Sequence, residues 1–253
     1  MLQTKNPSVI ALSTASAASV TGLAFISPII LLIKNHYNTS SNEVQLTITI
    51  YLVAICISQI FWGPLSDLIG RRVVLIMGAS LFSLGGILSS LNLAFEVFVF
   101  FRFLQGVGAA ACLSMPRVML TESYGVKKAA AKMSTLLAFM AIFPILSAAF
   151  GGYIGENYGW QTNFFTLFIF GSIIFLLNFV YSPETIKNKN KRLTFRTTFL
   201  DFRYLFGQNF FSLFCRCFIH SSRFFLFNGR FYALPIRTFR RLADRVWTLV
   251  FFN

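Results

Sequence analysis

The sequence predicts an all-α polytopic membrane protein: six spanning helices followed by an irregular basic tail. Three observations carry this. Hydrophobic residues make up 56% of the 253 and charged residues only 12%, well below the roughly one quarter charged expected of a soluble domain. The apolar residues come in blocks close to the length of about 20 that a helix needs to cross a bilayer. The blocks lack strand-like alternation, and a backbone in hydrocarbon must satisfy its own hydrogen bonds, so each reads as a helix.

The blocks run over residues 8–33, 44–62, 73–93, 95–120, 131–154 and 163–182. The first follows the short polar lead "MLQTKNPS", is too long for a signal-peptide core, and holds Pro28 but no acidic residue. The second runs into "GPLSDLIGRR", residues 63–72. There Gly63 and Pro64 are expected to end the helix, and Gly70 to take the positive φ that starts the next. Asp67 is expected near the N-terminus of a helix beginning at about Val73, which favours an anion. Arg71 and Arg72 are expected in the headgroup layer. By composition alone this is a tight turn with cationic flanks.

The fourth block contains "FRFLQGVGAAA" at 101–111. Arg102 stands about seven residues in, or roughly 10 Å at 1.5 Å per residue. An arginine inside a membrane is a functional residue by default, the plainer reading being one that snorkels to the surface. Gln105 lies one turn on, and Gly106 and Gly108 with Ala109, Ala110 and Ala111 make a small-residue packing face. Arg117 and Glu122 near the end of this block are either solvated end-charges or partners of the Asp67 loop. In the fifth block Pro144 and the pair Gly151–Gly152 are expected to bend and thin the helix. The sixth ends in "SPET" at 182–185.

Cation placement gives the orientation. With the N-terminus inside, one set of loops carries Lys5, Arg71, Arg72, Lys127, Lys128, Lys132, Lys187, Lys189, Lys191 and Arg192, and the other set only Lys34. By the positive-inside rule the N-terminus is cytoplasmic. The net charge of +14 therefore belongs to the membrane surface rather than to a nucleic-acid site.

The tail differs in kind. Ten of the fourteen arginines and fifteen of the thirty-two phenylalanines fall from Arg192 onward, and no lysine follows Lys191. Arg216, Arg223, Arg230 and Arg237 recur every seven residues, a stripe that on a helix would suit anionic lipid. Gly229 and Pro235 interrupt such a helix, and a seventh span would bury arginines. The third reading is sequence translated past a frameshift. Cys215 and Cys217 form a lone CxC with a distant His220, which makes no zinc framework. No cofactor is expected. An enzyme is disfavoured, since no Ser/His/Asp set or carboxylate pair is evident and His36 and His220 lie in unrelated segments.

The order of these residues resembles the Major Facilitator Superfamily. Gly63, Leu65, Asp67, Gly70, Arg71 and Arg72 match its loop signature G-x-L-x-D-R-x-G-R-[RK], with Leu68 in place of an arginine. Arg102, Gln105, Gly106, Gly108 and Ala109 match R-x-x-Q-G-x-G-A of its fourth helix. "PILSAAFGG" at 144–152 is similar to the fifth-helix motif of drug:proton antiporters, and the whole is most similar to the bicyclomycin/chloramphenicol-resistance subfamily.

The resemblance implies a six-helix N-terminal half over 1–185 and a separate Phe/Arg-rich tail over 186–253. It implies Arg102 and Gln105 in proton coupling, and Asp67 with Arg71 and Arg72 in a cytoplasmic latch. Gly106, Gly108, Pro144, Gly151 and Gly152 would be packing and hinge positions. A bacterial inner-membrane exporter of small amphipathic drugs in exchange for protons follows, truncated to half length and working by pairing with another half. The membrane-embedded carboxylate frequent in the subfamily's first helix is missing, Ala24 standing in its place. The rival reading is a non-transporting membrane fragment or pseudogene product.

Overall fold

The computed structural model describes residues 7–186. The expectations for the tail, including the arginine stripe and the Cys215, Cys217 and His220 group, lie outside the described residues. Six helical runs follow in order: α1 (Val9–Ala24), α2 (Ile30–Tyr37), α3 (Ser41–Ile69), α4 (Arg71–Ser90), α5 (Phe95–Tyr158) and α6 (Trp160–Tyr181). Helix α5 is two arms joined at Gly125, whose φ of 71° and ψ of 159° are not helical. Its first arm is Phe95–Gly125 and its second Lys127–Tyr158; with α3, α4 and α6 they are five stretches long and apolar enough to cross a membrane. Helices α1 and α2 together cover the first apolar block.

Three expectations change. The first block is not one helix, because regular helical bonding lapses over residues 25–29. Pro28 has no N–H to give and its neighbour is steered away from the helical region, and the Ile29 amide bonds the Ile26 carbonyl at 3.2 Å, a tighter turn. Nor do Gly63 and Pro64 end the second helix: Pro64 sits inside α3, which runs to Ile69, and the turn is made by Gly70 alone at φ 117°. Pro64 removes the donor that the Ile60 carbonyl would have used, a loss membrane helices tolerate better than soluble ones; just beyond it, Ser66 Oγ donates to the Gly63 carbonyl at 2.7 Å. Helix α4 therefore begins at Arg71 rather than near Val73. Finally, the segment between the fourth and fifth blocks is helical, its reversal concentrated in Gly125.

Lipid gives apolar helices no hydrophobic reason to associate, so close packing through small residues does it. Helices α1, α3 and α4 each pack on α5, and α4 also packs on α6. A Cβ at Gly108 would overlap the Phe82 amide and the Gly78 carbonyl, and one at Gly106 would lie 2.6 Å from the Tyr51 carbonyl oxygen. Gly86 and Gly171 do the same between α4 and α6, where added Cβ atoms would meet the backbones of Phe168 and Ser83 at 2.9 Å. At one end an aromatic cluster of Tyr37, Phe95, Phe98, Trp160 and Phe164 locks α2, α5 and α6 together. His36 joins it, Nε2 lying 2.7 Å from Asn92 Oδ1. The second arm of α5 leaves a long apolar face uncovered, including Leu137, Ile142, Ile145, Phe150 and Tyr153.

Candidate functional site

In the middle of the bundle, Arg102 has no exposed surface, and neither has Gln105. It does not snorkel. Its Nη1 donates to Gln105 Oε1 one turn along the same helix. Its Nη2 donates to the Gly22 carbonyl at 3.1 Å. Gly22 lies in the last turn of α1, where carbonyls lose their helical partners, so Arg102 caps that helix from eighty residues away. A cation also suits the negative end of the α1 dipole. The guanidinium lies 4.4 Å from the Tyr51 ring centre and 5.5 Å from that of Phe164, the geometry of cation–π attraction. The Tyr51 hydroxyl donates to the Ser19 carbonyl at 2.9 Å. One side chain thus touches α1, α3 and α6 from α5.

What the guanidinium lacks is a carboxylate. Every acidic residue among the described residues stands at or near a helix end: Glu43, Asp67, Glu96, Glu122, Glu156 and Glu184. Two buried donors, Arg102 Nε and Gln105 Nε2, have no acceptor. Space for the pair comes from Gly85, where an added Cβ would fall 2.6–2.8 Å from Gln105 backbone and Cβ atoms.

A second cluster gathers the charged loop. Arg71, its side chain 13% exposed, bridges Asp67 at 2.5 Å and Glu122 at 3.2 Å, and its Nη1 also meets Ser66 Oγ. The Arg71 amide, first of α4, donates to Glu184 Oε1 at 2.9 Å. Glu184 therefore takes the position at the helix N-terminus expected of Asp67, while Asp67 holds the arginine side chain one turn ahead of it. Gly70 is required twice: by its positive φ, and because a Cβ would collide with the Glu184 carboxylate. Thr185 Oγ1 donates to Glu122 Oε2 at 2.7 Å, closing the ring. Arg72 turns outward, donating to the Phe179 carbonyl at 2.6 Å and lying 5.5 Å from that ring centre.

Arg117 stays apart, its nearest partner being the Met140 sulfur at 3.6 Å. Pro144 sits within the second arm of α5, where Gly125 is the one non-helical position. A Cβ on Gly151 would meet the Phe25 carbonyl oxygen at 3.1 Å, at the α1–α2 junction, and one on Gly152 would meet Pro28 at 3.6 Å. The sequence reading missed Glu184, Tyr51 and Gly22. Glu184 had a signal in its favour: a carboxylate directly after the last apolar block, with an uncapped helix start at Arg71 to serve. Tyr51 and Gly22 had none, since their roles arise only when four helices meet.

Residues 12–251 match the family described as Major Facilitator Superfamily. The chain is 30% identical over 148 residues to multidrug resistance protein MdtL of Escherichia coli O81, covering 58% of this chain and 38% of that protein. It is 28% identical over 171 residues to the bicyclomycin resistance protein homolog of Haemophilus influenzae, covering 67% of this chain and 43% of that protein. The chain thus spans about two fifths of the length of these relatives. A D-xylose–proton symporter structure superposes with a TM-score of 0.64 at 16% identity, over 79% of this chain and 53% of that one. A bacterial homologue of the lysosomal transporter Spinster superposes at 0.59 and 14%, over 71% and 43%. These likenesses speak to the fold. With a family match over nearly the whole length, and with the helical bundle, the Gly70 turn and the buried Arg102 all in place, the chain belongs to the Major Facilitator Superfamily, a family of membrane transporters rather than of enzymes.

Proposed function

We propose that this bundle is the N-terminal half of a proton-coupled exporter of small amphipathic drugs, lying in a bacterial inner membrane with its N-terminus cytoplasmic. The names of the two relatives support the drug class, and the excess of cations at the Arg71 end supports the orientation. The observation that carries the reading is Arg102, a charge sealed in the apolar core at a standing energetic penalty. Transporters of this build place cargo near the membrane midplane, between two bundles that rock about it. Arg102 and Gln105 are the coupling pair in this reading. Because an arginine keeps its proton, Arg102 acts as a fixed positive charge whose field changes the proton affinity of other groups.

The Asp67–Arg71–Glu122–Glu184 ring is the latch that holds one end closed. Glycine lines at α4–α5 and α4–α6 keep the bundle rigid while it rocks. Rocking requires a second six-helix bundle, which in this reading covers part of the exposed α5 face. Residues 1–185 form the bundle, and the remainder is a separate segment. Growth of drug-sensitive bacteria in graded bicyclomycin, with and without the gene, tests the reading. Raised tolerance that Arg102→Ala removes is expected. Equal tolerance with and without the gene would leave the chain a non-transporting membrane fragment.

A further inference from the structure

We propose that Arg102 and Gln105 together bind the acid group of a carboxylate-bearing amphipathic cargo. The inference deepens the export reading and rests on it. Its basis is an imbalance: the bundle interior holds one guanidinium, with no carboxylate among the described residues away from helix ends. The present acceptors of Arg102 are neutral, an amide oxygen and a backbone carbonyl. Arg102 Nε and Gln105 Nε2 are fully buried donors with nothing to bond, although buried donors are normally paired. A carboxylate has two acceptor oxygens, is singly charged, and forms charge-assisted bonds with such donors. It would supply both missing acceptors and the missing charge at once.

A cationic drug has the opposite prospects here, since it would add like charge to an uncompensated one. The Tyr51 and Phe164 rings beside the guanidinium would contact the apolar body of the cargo. Arg102 is sealed in this structure, so the acid reaches it only after the bundle rearranges, as an alternating transporter does.

The test uses the full chain in detergent with 1-naphthylacetate and its methyl ester, which share a ring but differ in charge. The acid is expected to bind about tenfold more tightly than the ester, from one charge-assisted pair of hydrogen bonds. Gln105→Glu is the decisive variant. It places a carboxylate where Oε1 already accepts from Arg102, fills the need internally, and should abolish the preference while raising the unfolding temperature. Arg102→Gln should also abolish the preference, acid and ester then binding alike. Equal binding of acid and ester, binding of neither, or a preference that survives Gln105→Glu would overturn the proposal. A separate vesicle measurement tells the two readings apart: acid bound with the predicted selectivity but never exported sinks the export reading and leaves the acid site standing.

Discussion

Arg102 raises the question of why a chain keeps a charge where an apolar side chain would pack at less expense. Replacing a buried ionic group by a hydrophobic residue of similar length is often neutral or stabilising. Here the replacement would also leave the Gly22 carbonyl without its cap, at about 1–3 kcal/mol. The two effects oppose each other, so Arg102→Met is expected to change unfolding free energy by less than about 2 kcal/mol while drug tolerance falls to the empty-cell level. Thermal unfolding in detergent and a growth assay read these two quantities; collapse of the fold would make the arginine structural. Glu184 belongs to the same scale. Glu184→Gln keeps the shape of the α4 cap and removes its charge, and the exposure of this end limits the expected loss to about 0.5–1 kcal/mol.

At the scale of the element, the reversals are made by single glycines. Gly70→Ala must hold an alanine at φ 117° and push its methyl into the Glu184 carboxylate. A loss of about 1–3 kcal/mol is expected from the backbone strain alone, and a melting curve unchanged from wild type would contradict this account of the turn. Gly108→Val should be worse tolerated than a valine at Gly63, because Gly108 abuts the α4 backbone whereas nothing lies within 4 Å of a Cβ at Gly63. Relative yields of folded protein after membrane extraction would show the order.

The same comparison explains what was legible in the sequence. Block length and charge bias located the spanning helices, because hydrocarbon thickness and water leave few alternatives. The break in the first block was not legible, since Pro28 is tolerated in some membrane helices and breaks others according to their neighbours. Gly63–Pro64 shows the opposite case: a local helix-breaking signal costs α3 one backbone hydrogen bond, a loss a membrane helix tolerates, and the helix continues to Ile69. Arg102 announced itself as a lone charge in an apolar run. Its cap on α1 and its contacts with Tyr51 and Phe164 come from helices far apart in the chain, and no local pattern encodes them.

At the scale of the whole molecule two proposals are open to test, an inward N-terminus and a second bundle against the exposed face of α5. Single cysteines in a background lacking all four native ones, Cys56, Cys112, Cys215 and Cys217, give the first: one at Asn92 should react with an impermeant maleimide in intact cells, and one at Lys128 only after lysis. The reverse pattern would invert the topology. The central claim is that drug and proton exchange across this protein in a manner that depends on Arg102. The direct measurement is internal pH in sealed vesicles carrying the purified chain, followed after drug is added on one side. Proton movement opposite to the drug, lost in Arg102→Met, is the result predicted; internal pH indifferent to the drug, or a response that Arg102→Met retains in full, would contradict it.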